Sequence, residues 1–68
     1  MFELGELVYW YETYGDVMIT KDSGIGIISG IYDSLGEKIF KVHRIKHKDT
    51  MSFDITTLEK VRSKNEII

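Results

Sequence analysis

Between residues 24 and 45 the chain reads Gly24-Ile25-Gly26-Ile27-Ile28-Ser29-Gly30-Ile31-Tyr32, a short turn, and then Lys38-Ile39-Phe40-Lys41-Val42-His43-Arg44-Ile45. Isoleucine at 25, 27 and 31 falls on one face of the first run and glycine at 24, 26 and 30 on the other. That period of two belongs to a strand, and one of its faces is stripped of side chains. The connection Asp33-Ser34-Leu35-Gly36 supplies an Asp to bond the turn backbone and a Gly for positive φ. The segment is therefore a β-hairpin, which sets the class of the protein without naming its activity.

The chain has 68 residues and no cysteine. A domain of this size buries only about 60% of the surface its unfolded chain exposes, and neither disulfides nor thiolate metal ligation supplement the core. Packing must supply the stability, and the alternation nominates Leu7, Val8, Trp10, Ile25, Ile27, Ile31, Phe40, Val42, Phe53, Ile55, Leu58 and Val61 for the interior. One domain over residues 1–68 is expected, with its core at about 5–62 and a polar tail at 63–68, where Ile67 and Ile68 are able to dock if an edge offers them a place.

No run approaches the ~18 apolar residues of a membrane span. The opening Phe2-Glu3-Leu4-Gly5-Glu6 has acids where a secretory leader carries basic and apolar regions, so a cytoplasmic protein is expected. The net charge of −2 argues against nucleic-acid binding through bulk electrostatics. Charge is nonetheless polarised. Residues 1–16 hold Glu3, Glu6, Glu12 and Asp16 without a Lys or Arg, whereas 38–48 hold Lys38, Lys41, Arg44, Lys46 and Lys48 without an acid.

Strands are expected at about 6–12, 24–32, 37–45, 51–55 and 59–63. Thr13–Ser23 is expected as a long loop, packed down through Val17-Met18-Ile19. Thr56 and Glu59 have capping-box spacing, and so few residues follow that a single helical turn fits before the last strand.

Five short strands, a long first loop and such a turn before the last make an all-β, small closed or half-open five-stranded barrel. Gly5-Glu6-Leu7-Val8, Gly24-Ile25-Gly26-Ile27-Ile28, Phe40-Lys41-Val42 and Asp54-Ile55-Thr56-Thr57-Leu58-Glu59-Lys60-Val61 resemble the SH3-like barrels of the KOW, Tudor and CarD-type group. They resemble most the small stand-alone versions encoded by tailed bacteriophages. Such barrels bind RNA, DNA, polymerase surfaces, methylated side chains or other proteins, so the likeness implies a fold and leaves the function open. A phage origin would place the chain in the host cytoplasm. By analogy with the family pattern, Val8 and Trp10 point inward.

Gly24-x-Gly26-x-x-x-Gly30 lacks phosphate-loop spacing and continues as a strand, so its glycines are read as room for bulky neighbours or a strand bend. His43 and His47 would share a helical face, but the pattern here is a strand entering a loop, with only Asp49 nearby as a third ligand. No metal or other cofactor is expected. The serines and carboxylates lack the convergent context of a catalytic site, and no enzyme is expected.

The aromatic run Tyr9-Trp10-Tyr11, with Tyr14 and Tyr32, carries the most functional content. Either Tyr9 and Tyr11 cover the glycine face of strand two, or they are exposed anchors of an interface. The first expectation is a non-catalytic protein-binding module, a phage accessory protein that docks on a host or viral protein and modulates it. Its contacts would be Tyr9, Tyr11, Tyr14 and Tyr32, with Glu6 and Glu12 steering a basic partner. The alternative is a nucleic-acid or transcription-complex module using Lys38, Lys41, Arg44, Lys46 and Lys48 against phosphates, weak and salt-sensitive at most. A structural virion component, or a barrel that self-associates through its edge strands, is a third expectation.

Overall fold

The computed structural model describes residues 2–15 and 17–61; the tail and the docking expected of Ile67 and Ile68 lie outside the described residues. The chain is all-β, with β1 (Leu7–Tyr14), β2 (Val17–Ser34), β3 (Glu37–Arg44), β4 (Asp49–Phe53), a 3₁₀ turn (Ile55–Thr57) and β5 (Leu58–Lys60). All pairings are antiparallel and the strand order is β4-β3-β2-β1-β5. The single turn before the last strand is present as expected. Its cap differs: the Asp54 carboxylate accepts the Thr56 N–H at 3.0 Å, and Glu59 belongs to β5.

β2 is shared between two partners. Its first part pairs with β1 as far as Ile27, and from Gly26 onward it pairs with β3. Just past the changeover, a bulge between Ile28 and Gly30 resets the register and bends the strand. The curl is deep. The rings of Trp10 on β1 and Phe53 on β4 lie 5.9 Å apart, although a flat sheet would separate strands three places apart by roughly 14 Å.

Inside this curl Val8, Trp10, Ile28, Phe40, Val42, Phe53 and Leu58 form the core. Phe2 from the leading segment closes it, edge-on against Phe40 at 5.4 Å. The expected core is corrected on β2. Ile25, Ile27 and Ile31 are exposed, as are Leu7 and Ile55, and among the described residues Ile28 is the buried isoleucine. The cause is volume. Trp10 pairs with Gly24, and a Cβ built on Gly24 would stand 2.9 Å from the indole Cζ2. A Cβ on Gly26 would overlap Val42. The face bared by Gly24 and Gly26 therefore turns inward to admit the largest side chain, and the bulge puts Gly30 on the other face, opposite Lys41. Val8 and Trp10 point inward as expected, and Trp10, not Tyr9 or Tyr11, covers Gly24 and Gly26, while Gly30 lies beside the Lys41 stem.

Two connections also differ from expectation. The β2–β3 hairpin turns on Leu35 and Gly36, both at positive φ, while Asp33 faces Lys38 across the ladder at 4.0 Å and does not bond the turn. The Thr13–Ser23 loop does not exist. β1 and β2 continue as a two-stranded ribbon to Tyr14 and Val17, turning near Gly15 at φ +47, with register shifts around Thr13. Aromatic and β-branched residues on both arms favour extended pairing, and Ile19 stands exposed instead of packing down.

Candidate functional site

Because side chains alternate, filling the inner face of β1 and β2 leaves the intervening residues on the outer face. Leu7 lies across from Ile27 and Tyr9 across from Ile25, forming a block of apolar side chains each 37–47% exposed. Ile45, whose N–H donates to the Ile25 carbonyl at 3.1 Å, extends the block beyond β2 and is half exposed. Glu59 on β5 flanks it beside Tyr9, and His43 on β3 flanks it beside Ile27. Part of this arrangement is ordinary sheet chemistry, since aromatic and β-branched cross-strand pairs contribute roughly 0.2–1 kcal/mol each. That contribution does not require the rings and branches to remain open to water.

The four tyrosines are not one cluster. Tyr9 sits in the outer block. Tyr11 stands next to it along β1, half-buried, with its hydroxyl donating to the Glu59 carboxylate, which raises the phenol pKa above its ordinary value. Tyr32 lies past the bulge, hydrogen-bonded to Ser52 at 3.2 Å and lying under the Lys41 ammonium at 5.8 Å. Tyr14 is exposed at the far end of the ribbon. Glu6 accepts the Glu3 N–H and pairs with Lys60 at 3.3 Å; both hold its carboxyl below the usual range. Glu12 bonds Arg44 from the inward side at 3.3 Å. Neither acid is unengaged.

The basic residues divide likewise. Arg44 is buried, its guanidinium 4.9 Å over the Trp10 ring and held by Asp49 through two bonds of 2.7 and 2.6 Å. Asp49 keeps the Arg44 pKa raised, and Arg44 keeps the Asp49 carboxyl low. Lys46 and His47 both reach Asp22, at 2.6 and 2.7 Å, pulling its carboxyl well below the ordinary range and tying the β3–β4 turn to the base of the ribbon. His47 also tilts against Trp10 at 5.8 Å. Lys48 occupies the left-handed position of that turn, its N–H donating to the Arg44 carbonyl. Lys38 and Lys41 lie along β3, so the five cations form no single track.

A shallow hollow of about 280 Å³ opens beside Glu37, Lys38, Asp54, Ile55 and Thr56. Its Asp54 and Thr56 side chains are bonded to each other in capping the 3₁₀ turn. Among the described residues no three His, Cys, Asp or Glu gather as a metal site, and no helix is long and apolar enough to cross a membrane.

The residues missed by sequence reasoning are Leu7, Ile25, Ile27 and Ile45, of which the first three were expected inside. The signal that locates them is the pairing of one tryptophan with a run of glycines, which marks the bare face as the inward one. Comparison of the chain with protein-family models, curated proteins and solved structures finds no match.

Proposed function

We propose that this protein is a non-catalytic protein-binding module whose docking surface is the outer face of β1 and β2. One observation carries the reading: Leu7, Tyr9, Ile25 and Ile27 stand together in solvent on paired strands, although the chain closes its core with other residues. Contiguous exposed apolar patches mark interaction sites, and tyrosine at the centre of such a patch is a favoured anchor. The resemblance to phage-encoded barrels adds the finer reading of an accessory protein that docks on a host or viral protein and modulates it. The nucleic-acid alternative is less favoured because Arg44 and Lys46 are already engaged by Asp49, Glu12 and Asp22, leaving fewer charges to release counterions from phosphates.

A photoreactive residue in place of Ile27, compared with one in place of Lys38 at the hairpin end, tests the reading in the producing cell. Covalent adducts with a polypeptide, the chain itself or another, are expected from position 27 and not from position 38. Equal adducts from both positions, or none from position 27 in a folded chain, overturn it.

A further inference from the structure

We propose that the outer face of β1 and β2 seats an amphipathic α-helix of the partner polypeptide, its axis along the strands and a lysine or arginine on the flank that meets Glu59. The proposal rests on the docking reading above and names the kind of occupant. Main-chain chemistry disfavours an extended one. Val8 to Trp10 pair with β2 on one side and with β5 on the other. Gly26 and Ile27 pair with both β1 and β3, and the Ile25 carbonyl takes the Ile45 N–H. No strand edge is open at this level, so the face meets a partner through side chains alone. A strand laid over it would bury its own N–H and C=O groups against Leu7, Tyr9, Ile25 and Ile27, which is costly without hydrogen-bond partners. A helix satisfies its main chain internally.

Shape points the same way. The sheet curls around its core, bringing the rings of Trp10 and Phe53 within 5.9 Å, so its outer face is convex across the strands. A second sheet stacks face to face at about 10 Å, a spacing that a surface falling away on both flanks holds only along its crest. A helix is about 10 Å across and needs no more than that crest. Along β1 the outward side chains Leu7, Tyr9 and Tyr11 span about 13 Å, between two and three helical turns. Glu59 sets the charge of the occupant. It stands beside Tyr9 on β5, exposed, its carboxylate accepting the Tyr11 hydroxyl, and among the described residues it takes part in no ion pair. Tyr9, Ile25 and Ile45 lie level with it. A helix seated on those three carries one flank past Glu59, where a lysine or arginine completes the pair.

Photocrosslinking in the producing cell, with the adduct sites mapped by mass spectrometry, reads the backbone of the occupant. Ile25 and Ile27 stand about 6.7 Å apart along β2, a distance covered by two residues of an aligned strand and by about four of an aligned helix. Sites joined to a short-reach photoreactive residue at position 25 and to one at position 27 should therefore fall three or four residues apart in one partner polypeptide. Glu59→Lys should lower the adduct yield from both positions severalfold with Trp10 fluorescence unchanged, and Glu59→Gln should lower it less. Sites two residues apart, sites scattered over unrelated stretches, or a yield indifferent to Glu59→Lys overturn the helix and retain the docking face. Adducts with a second copy of this chain do the same, because its described residues include no α-helix. No adduct from either position in a folded chain removes both.

Discussion

The two faces of the β1–β2 pair are built from the same few strand residues and have opposite fates. On the inner face Val8 and Trp10 meet Gly24, Gly26 and Ile28, and both of these β1 side chains are wholly out of solvent. On the outer face Leu7 and Tyr9 meet Ile25 and Ile27, a richer apolar inventory that water still reaches. Hydrophobicity alone would assign them the other way round. What decides is volume: one indole and one curved strand need an absence of side chains opposite them, and glycine supplies it.

The largest expected effect breaks the inner face. Trp10→Ala removes the ring that fills the curl and should cost about 3–5 kcal/mol in denaturant unfolding, close to the whole stability of a domain this small. A cost under about 1 kcal/mol would put the core elsewhere. Gly24→Ala probes the same contact from the other side. Its added methyl must push the indole, and a loss of about 1–3 kcal/mol is expected from overpacking. The matching change on the outer face, Ile27→Ala, should lower monomer stability by less than about 1 kcal/mol, the scale of a lost cross-strand pair. A loss as large as that of Gly24→Ala would erase the contrast between the faces.

The ion pairs give a pH dependence whose sign follows from their shifts. Asp22, Asp49 and Glu6 all have carboxyl pKa values lowered by their partners, so the unfolded chain binds more protons than the folded one as they titrate. Their contribution is present above the unfolded values near pH 4 and is lost as pH falls through the folded ones. Thermal melts from pH 6 downward should show Tm falling, and less steeply for Asp22→Asn, which removes the group held lowest. An unchanged slope in that variant would mean that the clamp on Lys46 and His47 does not form in solution.

The smallest effect concerns the border of the outer face. Tyr11 donates to Glu59, so its phenol should ionise above the ordinary tyrosine value in an ultraviolet absorbance titration, and Glu59→Gln should lower it. The protonated phenol contributes stability below the unfolded value near 10, which is lost as pH rises through the folded one. No change on Glu59→Gln would leave Glu59 unoriented.

The hairpin, the class of fold and the lone turn were legible because each depends on local pattern: glycine at a tight turn, alternation along strands, too few residues for a helix. The β1–β2 ribbon was hidden because the polar residues among Gly15 to Ser23 look like loop composition, whereas pairing with Tyr11–Tyr14 decides their state. The inward face of β2 was hidden for a related reason. Alternation tells which residues share a face and says nothing of which face meets a tryptophan fifteen residues away. Arg44 shows the same limit. In sequence it belongs to a basic run, while in the fold Trp10, Asp49 and Glu12 draw it inside.

Because the chain has no cysteine, thiol labelling reads the two faces directly. Ile27→Cys and Ile28→Cys, adjacent on β2, should differ sharply in alkylation rate in dilute native protein. The first should react far faster than the second, which should remain protected as long as the chain stays folded. Equal rates for the two, or protection of the Ile27→Cys thiol in the dilute monomer, would contradict the assignment of core and docking face.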